Sequence, residues 1–329
     1  MEDVIIVGAG PCGLAAALSL REIGIDPLVI EKESLVHSIY LYPTYMQFFS
    51  TADRLEIGGF PFTTPNEKPT RLEALHYYRN VAKRSNIRIR SYEKVTDIIP
   101  ENGTFAVLTE NRARKRSRYE AKRVVIATGY FDNPNMLGIP GETLPKVSHF
   151  FREAHPYTGT KTAIIGGSNS AVDAALELMR ADAEVTIVYR GEAVSPNIKP
   201  WVRPVFENYV NKGLIKLMLR SRVVEIGETH IIVDSGGERV TLENDFVLAL
   251  TGFRPDRKFL RSIGIELEGE AEKPRFNPET METNVKGVYL AGVIAAGAEA
   301  NEIFIETGRF HGELIAKHIA SQAAAPEAD

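Results

Sequence analysis

The residues whose types and spacing could do chemistry crowd into one short stretch near the N-terminus. Gly8, Gly10 and Gly13 stand in a Gly-x-Gly-x-x-Gly spacing directly after the β-branched run Val4–Val7. Gly8 permits a tight reversal, Gly10 lets the backbone approach a pyrophosphate, and Gly13 lets the next helix lie close to the strand. Pro11 and Cys12 complete the turn, so the phosphates of a dinucleotide would rest on the helix N-terminus, where open N–H groups and the helix dipole favour negative charge. Glu31 lies 18 residues after Gly13, at the end of the apolar run Leu28–Ile30, and would take the ribose hydroxyls, with Lys32 beside it. Cys12 is the one cysteine of the chain. In the first turn of a helix the dipole favours its thiolate, which could attack a disulfide; the alternative is a small, soft packing residue.

A second turn repeats the pattern with changes. The strand Thr162–Ile165 leads into Gly166, Gly167, Ser168, Asn169, Ser170 and Ala171, then a helix through Ala174–Met179 and a strand Val185–Tyr189. Serine takes the middle glycine position, where it crowds the approach slightly, and alanine takes the last, where it is allowed. Where an NAD site would place an acid, the chain has Tyr189-Arg190-Gly191. A cation there suits a 2′-phosphate, so NADPH is expected over NADH, with Lys199 as a possible helper.

These turns need elements to hold them. Each is strand, turn, helix, strand, and two further strands end in Thr-Gly pairs, Val124–Ala127 before Thr128-Gly129 and Phe246–Leu250 before Thr251-Gly252. A late strand, Gly287–Ala291, runs into Gly292, and a helix is expected from about Ile303 to Ala320. Chain length, 329 residues, suits about two domains. The basic stretch Asn111–Arg118 reads as a solvated hairpin tip, and Ser321–Asp329 as a frayed tail.

Composition narrows the function. With 44% hydrophobic and 25% charged residues and a net charge of −4, nothing points to nucleic acid or an anionic membrane. Val4–Leu20 carries no charge, but its glycines and the preceding Glu2 and Asp3 make neither a membrane span nor a signal peptide, so no targeting segment is expected. One cysteine leaves no disulfide, no Cys-x-x-Cys pair and no cysteine-based metal site; no metal and a cytoplasmic setting are expected.

The two turns, the Thr-Gly strands and the Gly292 strand together resemble the two-dinucleotide-domain flavoproteins, with thioredoxin reductase the nearest well-known relative. Within them Gly8–Gly13, Tyr42-Pro-Thr, Phe48–Thr51, His155–Tyr157, Ile198–Trp201 and Ala291–Gly297 resemble the bacillithiol disulfide reductase subfamily. The resemblance implies an α/β chain of two Rossmann-like domains: FAD in a discontinuous domain of residues 1–132 and 259–320, and NADPH in residues 133–258. It implies an NADPH-dependent reductase of a small-molecule disulfide, bacillithiol disulfide by the subfamily's name, working as a homo-oligomer (dimer or tetramer) with Cys12 as the redox thiol. It also puts Asn301, Glu302 and Ile303 near the flavin pyrimidine, where backbone N–H groups would steady the reduced ring.

The chain departs from the wider superfamily in three places. The Cys-x-x-Cys of thioredoxin reductases is missing. The usual Gly-Asp of the late strand is Gly292-Val293, so the flavin ribityl chain needs other contacts. Phe150–His155 carries Arg152 where a Baeyer–Villiger-type fingerprint needs glycine. A ferredoxin–NADP reductase of the thioredoxin-reductase-like kind, a flavin monooxygenase and a non-catalytic FAD-binding redox sensor remain as alternatives. His149, His155 and His311 are candidate proton donors that could equally be structural, and Tyr40, Tyr42, Tyr45, Phe48 and Phe49 form an aromatic group suited to a site wall or to core packing.

Overall fold

A computed structural model describes residues 1–299 and 302–324. Contacts divide the chain into two compact units: residues 1–41, 46–133 and 253 onwards in one, residues 42–45 and 134–252 in the other.

The first unit starts with β1 (Glu2–Val7), α1 (Pro11–Glu22), β2 (Leu28–Glu31), α2 (His37–Leu41), α3 (Arg71–Arg84), β3 (Arg88–Ser91), β4 (Glu93–Glu101), β5 (Thr104–Asn111) and β6 (Arg116–Ile126). Val4, Ile5 and Ile6 are fully buried, as expected for a parallel strand covered on both faces. β6 joins the parallel and antiparallel parts of one seven-stranded sheet. Its first half pairs antiparallel with β5, and its second half runs parallel to β1, with Ile126 opposite Val7. The basic hairpin tip is shorter than the expected Asn111–Arg118: residues 112–115 make the turn, with Arg112 over the Tyr92 ring, while Arg116–Arg118 pair in β6.

The second unit holds β7 (Val147–Ser148), β8 (Lys161–Ile165), α4 (Asn169–Arg180), β9 (Glu184–Val188), α5 (Arg203–Asn211), β10 (Ile215–Met218), β11 (Ser221–Ile226), β12 (His230–Ser235), β13 (Glu238–Glu243) and β14 (Phe246–Ala249). The chain then returns to the first unit with α6 (Arg257–Ser262), β15 (Leu267–Glu268), β16 (Lys273–Pro274), β17 (Val288–Leu290), α7 (Ile305–Gly308) and α8 (His311–Ala324).

Both units share one plan. The parallel order β3-β2-β1-β6-β17 in the first matches β10-β9-β8-β14-β7 in the second, and each has a three-stranded antiparallel meander, β4-β5-β6 or β11-β12-β13. The fold is α/β with two Rossmann-like units, the first of them discontinuous. The expected single helix from Ile303 is two helices, α7 and α8, and α8 runs on through Ala324. Ser321–Ala324, expected to fray, are therefore its last turn; residues 325–329 of that tail, and Asn301, lie outside the described residues.

Candidate functional site

The first turn is built by close backbone approach. A Cβ on Gly8 would lie 2.5 Å from the Ala127 carbonyl oxygen, and one on Gly13 would lie 2.1 Å from that of Gly8. Gly10 is different: a Cβ there meets nothing within 4 Å, so its side-chain position is open space at the start of α1. Capping tells the same story. Thr70 and Glu73 close the N-terminus of α3 with a reciprocal capping box, whereas Gly10 caps α1 with no side-chain hydrogen bond, leaving its first N–H groups open. Close by, Thr128 Oγ1 is buried without a partner. An open cradle, uncapped donors and an orphaned hydroxyl fit the pyrophosphate of a dinucleotide. Gly129 follows in a left-handed conformation, φ 65°.

Glu31 is buried, and its two oxygens accept the backbone N–H groups of Ala9 (2.7 Å) and Glu33 (2.9 Å). Burial raises its pKa against the opposing pull of those bonds. The carboxylate thus fixes the turn as well as standing where a ribose would lie. Lys32 is engaged by Asp132 at 2.7 Å.

Cys12 is half-buried as a residue, but its sulfur is wedged between two glycines from the far end of the chain. A Cβ on Gly292 or on Gly308 would come within 2.9 Å of Cys12 Sγ. Gly292, φ 80°, donates its N–H to His311 Nδ1 at 3.1 Å, and burial lowers the pKa of that histidine, so His311 acts as a structural acceptor. The expected thiolate needs correction. Burial, and after it the nearby Glu306 carboxylate, push the Cys12 thiol up to about 12, outweighing the helix dipole. Glu306 in turn accepts a hydrogen bond from the Ser50 hydroxyl.

Val293 opens a 3₁₀ turn, Val293–Ala296, and adds no charge. The expectation for Glu302 is also corrected in its details. Its backbone N–H already donates to the Glu299 carbonyl at 3.0 Å, and its carboxylate pairs with Lys273 at 2.8 Å. Helix α7 starts later, at Ile305, while the Ile303 side chain lies against Gly308. Of the other candidates, His155 is exposed and His149 is packed beside Glu142. The aromatic group is split, Tyr42 and Tyr45 belonging to one unit and Tyr40, Phe48 and Phe49 to the other.

The second turn follows the first with looser packing. A Cβ on Gly166 would meet the Leu250 carbonyl oxygen at 2.4 Å and the Ala171 methyl at 3.3 Å, so here the helix stands far enough away to accept alanine. Ser168 caps α4 without a side-chain hydrogen bond, and Ser168 and Ser170 are exposed. Asn169 is occupied otherwise: its amide donates to the Asn197 carbonyl at 2.9 Å and accepts from the Lys199 N–H at 3.0 Å. Lys199 pairs with Asp173 at 2.7 Å. Gly8 donates to the Ile30 carbonyl and Gly166 to that of Val188, so Tyr189 stands where Glu31 stands, and Arg190, exposed, where Lys32 does. The Tyr189 ring lies so near Gly167 that a Cβ there would fall 2.4 Å from it.

A family model described as pyridine nucleotide-disulphide oxidoreductase matches residues 5–292. The chain belongs to this family. It is 52% identical over 323 residues to bacilliredoxin reductase Bdr of Bacillus subtilis (strain 168), covering 98% of each. Among solved structures, the bacillithiol disulfide reductase Bdr from Bacillus cereus superposes with a TM-score of 0.95 at 50% identity, covering 98% of this chain and 99% of that one. A thioredoxin reductase from T. acidophilum, with a TM-score of 0.75 and 23% identity over 98% of this chain and 99% of that one, shares the fold. As a member of the family the chain is an oxidoreductase. Among the described residues there is no cluster of three metal-ligating side chains, and no helix is long and apolar enough to cross a membrane.

Sequence reading missed the neighbours of Cys12. Glu306 and Gly308 lie about 300 positions away along the chain. A usable signal was present in Gly308 and Gly312, which end α7 and begin α8. A Cβ on Gly312 would fall 2.5 Å from Ala16 Cα, so the pair marks where α1 and the C-terminal helices touch.

Proposed function

We propose that this chain is an NADPH-dependent FAD enzyme that reduces a low-molecular-weight thiol disulfide, with bacillithiol disulfide as the first candidate. The full-length likeness to the Bdr reductases supports the reaction class. The observation that carries the reading to residues is the seat of Cys12, in the open first turn of α1 and against Gly292 and Gly308.

In this reading Gly8, Gly10, Pro11, Cys12 and Gly13 hold the FAD pyrophosphate on α1, Glu31 and Lys32 meet the adenosine ribose, and Thr128 and Gly129 close the cradle. Gly292, Val293 and Ile303 line the flavin side. Gly166, Gly167, Ser168, Asn169 and Ser170 hold NADPH, with Arg190 on the 2′-phosphate. Bound together, the two cofactors supply a hydride to the flavin and an electron pair for the disulfide.

The part of the chain in the reaction is that of Cys12. Its deprotonated sulfur bonds to one sulfur of the substrate disulfide, the S–S bond breaks, and the first thiol leaves with the proton; two electrons and two protons then cleave the mixed disulfide, releasing the second thiol and restoring the Cys12 thiol. The thiol proton must leave first. Because burial holds that proton on, the step requires the site to become less hostile to a thiolate when cofactor and substrate are in place. The same burial favours a second reading, in which Cys12 only packs and the electron pair reaches the substrate without a mixed disulfide. The setting proposed is the cytoplasm and the working form a homo-oligomer.

The test is anaerobic. The FAD-loaded protein is titrated with NADPH, bacillithiol disulfide is added, and flavin reoxidation is followed in wild type and Cys12→Ala. Reoxidation in the wild type alone, at equal FAD content, assigns the thiol to Cys12. Equal reoxidation in both supports the packing reading, and no response in either rejects the disulfide as substrate.

A further inference from the structure

The end of β9 has a neighbour that the second turn alone does not reveal. The backbone N–H of Arg220 donates to the Gly191 carbonyl at 2.9 Å, and that of Ser221 to the Tyr189 carbonyl at 3.1 Å. These two bonds grip the residues on either side of Arg190, so residue 220 is pinned beside it whatever its side chain does. Arg220 adopts φ 49°, a left-handed conformation that glycine or asparagine occupies at least cost, yet the position holds an arginine. Its Nη2 lies 3.2 Å from Glu192 Oε1, in a pair whose side chains are 71% and 80% exposed. An ion pair in open water is weak and exchanges easily for a dianion that a guanidinium can grip with two hydrogen bonds.

We infer that Arg220 is a second guanidinium of the 2′-phosphate subsite, a specificity-determining residue alongside Arg190, with Glu192 holding its place until the phosphate arrives. The inference rests on the NADPH reading of the second turn. Arginines at two backbone positions that strand register sets side by side offer a 2′-phosphate two cations. Glu192 competes for one of them, so its removal tightens the phosphate's hold.

Binding of 2′,5′-ADP and of 5′-AMP to the full-length protein, measured by calorimetry, tests this without any turnover. Arg220→Gly suits the left-handed backbone better than arginine does, so the fold is not at stake, and the melting temperature checks it. Loss of one charge-assisted contact predicts about tenfold or more weaker binding of 2′,5′-ADP, with 5′-AMP unchanged, and Glu192→Gln is expected to bind 2′,5′-ADP more tightly. If Arg220→Gly binds 2′,5′-ADP like the wild type while Arg190→Ala loses it, Arg220 is no part of the subsite. Equal weakening for both nucleotides makes Arg220 a structural residue and overturns the inference. A wild type that does not discriminate between the two nucleotides overturns the NADPH reading itself.

Discussion

Two glycines three residues apart in the first turn should fail in opposite ways when each is replaced by alanine. At Gly13 the new methyl would sit 2.1 Å from the Gly8 carbonyl oxygen, whereas an ordinary C···O contact is about 3.3 Å or more, so something must move by about 1.2 Å. The helix cannot easily retreat, because Gly312 already brings α8 against Ala16. Overpacking of this kind costs about 3 kcal/mol, at the top of the usual range, and at about 2–4 °C per kcal/mol in a domain of this size the apo-protein should melt about 6–12 °C lower. At Gly10 the methyl meets nothing, and the φ of −73° suits any residue. Loss of a favourable N-cap and the gain from a stiffer unfolded chain nearly cancel, so apo stability should change by less than about 0.5 kcal/mol. The same methyl fills the cradle proposed for the pyrophosphate, and FAD affinity should fall at least about tenfold, or ~1.4 kcal/mol. Apo melting by circular dichroism and FAD binding by fluorescence quenching separate the two. A Gly10→Ala protein that binds FAD like the wild type refutes the cradle, and a Gly13→Ala apo-protein with an unchanged melting point refutes the packing argument.

Three further outcomes follow from the same region. Glu31→Ala leaves the N–H groups of Ala9 and Glu33 without their acceptor; set against relief of the buried charge, the net loss should be about 2 kcal/mol by urea unfolding, and less for Glu31→Gln, which keeps one acceptor. With its pKa at about 12, Cys12 in the apo-protein should react with iodoacetamide at pH 8 roughly three orders of magnitude more slowly than an ordinary thiol, and faster in Glu306→Gln; labelling at the rate of the urea-unfolded chain contradicts the burial account. His311 has its folded pKa lowered from 6.5, so below about 6.5 the unfolded chain takes up a proton that the folded one resists. Stability should therefore be full above that pH and decline as pH falls towards the folded pKa, with a shallower decline in His311→Gln, which can still accept the Gly292 N–H; identical pH profiles for the two proteins remove His311 from the account.

What could be read in advance was local. The β-branched runs and glycine spacings placed β1, α1, β2, β8, α4 and β9 within a residue or a few of where they lie, because each of those signals acts over a few positions. The surroundings of Cys12 were not legible in the same way. Its helix position argued for a thiolate, but the opposing burial comes from Gly292 and Gly308, which only the return of the chain through β17 and α7 brings to the sulfur. Nor does local pattern reveal that β6 joins a parallel ladder to a meander, since only its end, Val124–Ile126, reads as a strand and its start, Arg116–Arg118, reads as part of a hairpin tip. Glu302 was misjudged for a related reason: its cation, Lys273 on β16, is brought to it only by tertiary packing.

The two turns follow one backbone plan and differ by a few substitutions. In the first, Gly13 and Gly8 bring helix and strand into contact, Thr128 keeps a buried hydroxyl unspent, and an acid closes the second strand. In the second, Ala171 holds the helix further off, Thr251 spends its hydroxyl on the Asn135 carbonyl at 2.6 Å, and an aromatic ring followed by a cation takes the place of the acid and its lysine. A buried acid suits a ligand that offers hydroxyl donors and repels one that carries a phosphate there; an exposed cation does the reverse. On the proposed reading, these few positions would decide which dinucleotide each unit takes. Exchanging the strand-end residues, Glu31→Tyr with Lys32→Arg, should therefore weaken the proposed hold on an unphosphorylated ribose without creating a second NADPH site, because the position that matches Arg220, between β10 and β11, is the uncharged Tyr92, whose N–H donates to the Glu33 carbonyl at 3.2 Å.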